Sequence, residues 1–104
     1  MSPQIEDALN REIDATSLSR GRRYAAQGNV RVWELMPGGR ILTADVDGRY
    51  TYGLQVALTW TAAGTLQSLT GSCACPVGHN CKHVAAAMIA ADEAGAFEGI
   101  TQST

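Results

Sequence analysis

Cys73-Ala74-Cys75-Pro76-Val77-Gly78-His79-Asn80-Cys81-Lys82-His83 is the stretch on which the fold turns. It places soft or borderline ligands at Cys73, Cys75, Cys81 and His83, all within eleven residues. At the end of a strand, side chains two residues apart point to the same side, so Cys73 and Cys75 present two sulfurs together. Pro76 to Asn80 then reads as a turn, with Gly78 free to take unusual backbone angles, that returns the chain to Cys81 and His83. Residues two apart on a helix diverge, so Cys81 is expected at or just before the N-cap of whatever helix follows. Three thiolates and one imidazole form a closed tetrahedral set typical of structural zinc, with no vacancy for substrate.

The same residues carry blander and rival readings. Cysteines are small apolar core groups elsewhere, thiolates also hold iron-sulfur clusters, and a cysteine beside a histidine is a weak signal for a thiol enzyme. His79 is an alternative fourth ligand to His83, or a solvent-facing loop residue. The expectation adopted is zinc and no enzyme. The positive end of the helix after Cys81, together with Lys82, offsets the net negative charge of a three-thiolate centre. Structural zinc contributes on the order of 10–16 kcal/mol in small peptides, against about 5–15 kcal/mol of net stability for a typical domain. Loss of the metal is therefore expected to unfold at least the C-terminal half.

Working outward, Lys82 to about Ala94 carries Val84, Ala87, Met88 and Ala91 as one helical stripe before Gly95, a helix suited to cover a sheet. Upstream, Tyr50, Tyr52, Leu54, Val56, Leu58 and Trp60 share one parity and Thr51 to Thr59 the other, which predicts a strand with one apolar face; Tyr50, Tyr52 and Trp60 could stack on bases, but their shared parity favours packing inside. Thr65 to Ser72 returns as its antiparallel neighbour after an Ala62-Ala63-Gly64 turn. Val30 to Met36 and Arg40 to Val46 make two earlier strands around Pro37-Gly38-Gly39, and Asp47-Gly48 predicts a two-residue hairpin. At the start, Ile5, Leu9 and Ile13 recur every four residues on a helix running from Ser2-Pro3 to about Asp14. A second helix runs from a hydroxyl cap at Thr16 or Ser17 to Gln27, ended by Gly28. Residues 97–104 carry no usable pattern.

The chain has 104 residues, 45% hydrophobic and 17% charged, the profile of one globular domain spanning residues 1–104. A domain this size buries only about two-thirds of its unfolded surface, so a metal staple matters. The formal net charge is −2, so attraction to nucleic acid has to come from a local patch. Arg20, Arg22 and Arg23, with Arg11 and Arg31 as outliers, are the only basic concentration and are candidates for phosphate contact alongside Lys82. The competing reading is a solvated helix face paired with Glu12 and Asp14. The apolar runs are too short for a membrane span and the first residues too acidic for a signal peptide, so a cytoplasmic protein is expected.

Cys-x-Cys, a short spacer and Cys-x-His resemble the SWIM zinc finger. The likeness continues through the alanine-rich helix to about Ala91, placing the finger at about 65–94. It is supported by Ser19-Arg20-Gly21-Arg22-Arg23-Tyr24-Ala25-Ala26-Gln27-Gly28-Asn29-Val30, similar to the stretch preceding the finger in bacterial SWIM proteins. The strands between match only in pattern. The resemblance implies zinc binding by Cys73, Cys75, Cys81 and His83, a strand-strand-helix finger, and a role in binding DNA or proteins, since such fingers occur in SWI/SNF-type ATPases and Mutator-like transposases. No Gly-x-x-x-x-Gly-Lys-Ser/Thr loop is present, so any ATPase or helicase activity would belong to a partner chain or another segment. The fold expected is α+β: N-terminal helices, a four-stranded antiparallel meander, and a C-terminal helix pinned by zinc. The function expected is a zinc-binding module contacting DNA, or alternatively a zinc-stabilised protein-interaction module.

Overall fold

A computed structural model describes residues 2–98, so most of the patternless tail lies outside the described residues. Two helices, α1 (Pro3–Glu12) and α2 (Ala15–Ala26), precede four strands, β1 (Val30–Leu35), β2 (Ile41–Asp47), β3 (Thr51–Trp60) and β4 (Leu66–Cys73), and a last helix, α3 (Lys82–Glu93). The strands pair in sequence order, each antiparallel to the next. This is the expected α+β meander.

Each element forms for a local reason, and two of the reasons differ from the expectation. α1 starts with Pro3 in its first turn, where a missing N–H costs nothing. α2 is capped not by a hydroxyl but by Asp14, whose carboxylate accepts the Ser17 N–H at 2.9 Å. The Ser17 hydroxyl donates to the same carboxylate, so the serine is a partner of the cap. These bonds hold Asp14 below its ordinary pKa. The second difference lies between β2 and β3. Asp47 pairs with Thr51, leaving a three-residue loop of Gly48, Arg49 and Tyr50, and Gly48 does not take the positive φ of the expected two-residue turn. Tyr50 consequently falls outside β3 and is 66% exposed instead of joining the core.

One face of the sheet, carrying Leu42, Ala44, Val46, Leu54, Val56, Leu58 and Leu69, is buried. It lies beneath α3, which touches all four strands, while α1 packs on β4. The opposite face, with Asp45, Gln55, Thr59 and Thr70, is open to solvent. The sequence predicts a single buried stripe on α3, yet Val84 to Ile89 are all buried. The cause is α2, which packs chiefly on α3 from the side away from the sheet. A helix sandwiched this way is apolar all round. The contact is close enough that a Cβ built on Gly21 would sit 2.5 Å from Ala85 Cβ and 2.9 Å from the Lys82 carbonyl oxygen.

Three further contacts close the core. The Ser2 N–H and hydroxyl donate to the buried Asp92 carboxylate at 2.8 and 2.9 Å, tying the start of α1 to the end of α3. Phe97, in the stretch without a sequence pattern, is buried against Trp60, with ring centroids 5.8 Å apart. Trp60 Nε1 donates to the Gly39 carbonyl at 2.7 Å. No helix among the described residues is long and apolar enough to cross a membrane.

Candidate metal centre

β4 ends at Cys73, and the chain then folds back on itself. The Cys73 N–H donates to the Gly78 carbonyl at 3.1 Å, and Ser72 and His79 form an isolated antiparallel bridge. This turns residues 74–80 into a tight knuckle at the sheet edge. Asn80 locks its return. It takes a positive φ of 41°, tolerable for asparagine, and its N–H donates to the Gly71 carbonyl at 3.0 Å. Its side-chain oxygen accepts the Gly71 N–H at 2.7 Å, and its amide nitrogen donates to the Glu12 carbonyl at 3.1 Å. Asn80 therefore joins β4, the knuckle and the end of α1. Sequence reasoning missed it; an asparagine directly before the third cysteine was the available signal.

Cys81 follows as the N-cap of α3 with extended backbone, the position demanded if Cys81 and His83 are to converge. Their convergence is real. One side-chain donor atom from each of Cys73, Cys75, Cys81 and His83 lies within 4.8 Å of the others, three of the residues buried and Cys73 half-buried. His83 Nδ1 faces the sulfurs, 3.7 Å from Cys73 Sγ and 3.6 Å from Cys81 Sγ. A tetrahedral centre with Zn–S near 2.3 Å and Zn–N near 2.0–2.1 Å has sulfur-to-nitrogen edges of about 3.6 Å. The donor set therefore fits zinc in kind and number, and the two sulfur-to-nitrogen edges at Cys73 and Cys81 match its spacing. When bound, the ion ties the end of β4 to the start of α3. His79 is exposed and stands outside the cluster.

The surroundings hold the imidazole in one pose. Tyr52 lies over it with centroids 4.6 Å apart at 33°, and Tyr24 meets it edge-on at 5.5 Å. Nε2 is buried without a hydrogen-bond partner among the described residues, facing the backbone of Gly48. A Cβ on Gly48 would come within 2.9 Å of that nitrogen. The glycine is required here by close approach and not by the turn.

Charge is distributed unevenly among the thiols. Burial pushes Cys73 up to about 12 and also raises Cys81. At Cys75 burial pushes upward too, but the Gly78 N–H and the neighbouring thiols outweigh it and the group ends below its ordinary range. Burial, and then the nearby Lys82 charge, lower the His83 pKa, which favours the neutral, ligating imidazole.

Of the arginines singled out in the sequence, Arg20 alone lines the cleft at the metal centre. Arg22 turns to Glu6, forming an ion pair at 3.0 Å, and Arg23 lies exposed in the last turn of α2. Asp14 is occupied by its cap. Arg31 pairs loosely with Asp47 at 3.6 Å, and Arg11 reaches the Gln67 carbonyl. Arg20 instead lines this cleft of about 300 Å³, whose wall includes the metal ligands Cys75, Cys81 and His83, together with Lys82, Tyr24, Tyr52, Val77 and Arg49. Lys82 also holds its ammonium 5.5 Å from the centre of the Tyr24 ring. Arg49 is separated from Arg20 by β1 and β2, so linear clustering could not reveal it.

Neither the curated proteins nor the solved structures include a match to the chain. A family model described as the SWIM zinc finger matches residues 55–92, from mid-β3 to the last turn of α3, and so takes in the whole donor cluster. With four donors converging as that Cys-x-Cys and Cys-x-His pattern requires, the chain carries a SWIM zinc finger that binds zinc.

Proposed function

We propose that this is a zinc-stabilised nucleic-acid-binding module, with DNA as its ligand, acting in the cytoplasm alongside an ATPase or helicase carried by another chain or segment. The reading makes it a non-enzyme, because the metal takes Cys73, Cys75, Cys81 and His83 as ligands and keeps no open coordination position. The observation that carries it is the convergence of Arg20, Arg49 and Lys82 on one cleft in a chain whose net charge is −2. Phosphate attraction needs local positive charge, not a basic whole. Arg22 and Arg23 lie off this cleft and contribute less.

The test is a binding titration of zinc-loaded protein on DNA at two salt concentrations. Affinity is expected to fall as salt rises, and Arg20→Ala with Arg49→Ala is expected to flatten that dependence by roughly one unit of slope for each phosphate no longer neutralised. Binding indifferent to salt and to both arginines would remove the reading.

A protein-interaction role is favoured by one separate observation. Val77, at the knuckle tip beside the cleft, is 70% exposed. A partner seated on that valine would stay bound at high salt, and Val77→Asp would release it.

A further inference from the structure

The loop between β2 and β3 places an exposed ring next to a cation of the cleft. Tyr50 leaves most of its surface in water, and its edge rests on Tyr52 at 6.2 Å and 87°. Tyr52 in turn lies on His83, the imidazole facing the sulfurs. The zinc centre thus anchors a relay of three rings whose outermost member is free on one side. Arg49 precedes Tyr50 and lines the cleft with Arg20 and Lys82. A large aromatic that is uncovered beside a cation of the cleft is suited to stack on a base while its neighbours hold the phosphate.

We infer that the Arg20, Arg49 and Lys82 cleft with Tyr50 is a single-stranded nucleic-acid site, one nucleotide stacking on Tyr50 and an adjoining phosphate entering the cleft. This rests on the nucleic-acid reading above and narrows it. One feature selects single strands over duplex. In a duplex the base faces are covered by their neighbours, so a stacking ring finds no partner without unstacking the helix. Cys75, Cys81 and His83 form the inner wall of the cleft, so with zinc bound the phosphate is held at its mouth by Arg20, Arg49 and Lys82.

The experiment measures fluorescence anisotropy of labelled oligothymidine and of a duplex of equal length with zinc-loaded protein, comparing the parent with Tyr50→Ala, Tyr50→Phe and Arg49→Gln. Neither position ligates the metal, so zinc content and circular dichroism check each variant's fold. The expected result is tighter binding of the single strand, a loss of about fivefold or more for Tyr50→Ala, near-parent binding for Tyr50→Phe, and a shallower salt slope for Arg49→Gln. Duplex bound as well as the single strand, or Tyr50→Ala binding like the parent, overturns this site while leaving the broader function intact. An Arg49→Gln variant that changes zinc affinity alone also overturns it, since the arginine would then serve only to balance the thiolates. Absence of salt-sensitive binding to either oligonucleotide defeats the broader function and this inference with it.

Discussion

Gly48 shows how a single missing side chain shapes the metal centre. The residue looks like hairpin chemistry, yet it does not adopt a positive φ and lies against His83 Nε2. An alanine there meets a ring held between Tyr24 and Tyr52, so the ring has no direction in which to yield without turning Nδ1 off the sulfurs. Gly48→Ala is expected to weaken zinc binding by tenfold or more, roughly 1.4 kcal/mol, while far-ultraviolet circular dichroism of the zinc-saturated protein stays unchanged. Competition with a chromophoric chelator measures this. Parent-like affinity would show that the loop, not the ring, absorbs the extra methyl group.

Between elements, the packing of α2 on α3 is the most demanding. Replacing glycine with alanine inside a helix normally gains about 1 kcal/mol from backbone propensity. At Gly21 the added methyl would meet the backbone carbonyl of Lys82 as well as Ala85, and overpacking of this kind costs about 1–3 kcal/mol. Because backbone cannot rotate aside, the clash outweighs the propensity gain. Gly21→Ala is expected to lower Tm by several degrees, and Gly21→Val by more. A raised Tm would mean that α2 can slide on α3. The same packing explains why the apolar pattern of α3 is harder to interpret than that of β3: alternation on a half-buried strand is a local signal, whereas an alanine-rich helix covered on two sides carries none that names its second neighbour.

For the whole molecule, zinc ties the end of β4 to the start of α3, and its affinity has a defined pH dependence. With burial holding Cys73 near 12 and raising Cys81, most thiol protons remain on the metal-free cluster at neutral pH. Those protons leave when zinc binds, so the metal-free form holds more protons and rising pH favours the loaded form. The His83 pKa is lowered by burial, so its nitrogen is already available and the thiols set the trend. Zinc affinity is expected to increase steadily from about pH 6 to about pH 8, with proton release in weak buffer. A flat profile would mean that the thiols are already ionised in the metal-free chain. Chelation at neutral pH is expected to expose the amides of β4 and α3 to hydrogen exchange first, and α1, which packs on β4, with them.

The chain's own residues determined the zinc ligands, the strand order and the helix boundaries to within a residue or two, because ligand spacing, side-chain alternation and apolar periodicity are short-range properties. Cys81 at the N-cap follows from the two-residue spacing to His83 alone. Only the tertiary structure decided that α2 covers α3, that Asn80 joins three segments, that Phe97 closes the core, and that Tyr50 lies outside it. It also scattered the run of arginines and brought Arg49 to Arg20 and Lys82, since a helix sends neighbouring side chains in different directions while sheet pairing carries remote loops together.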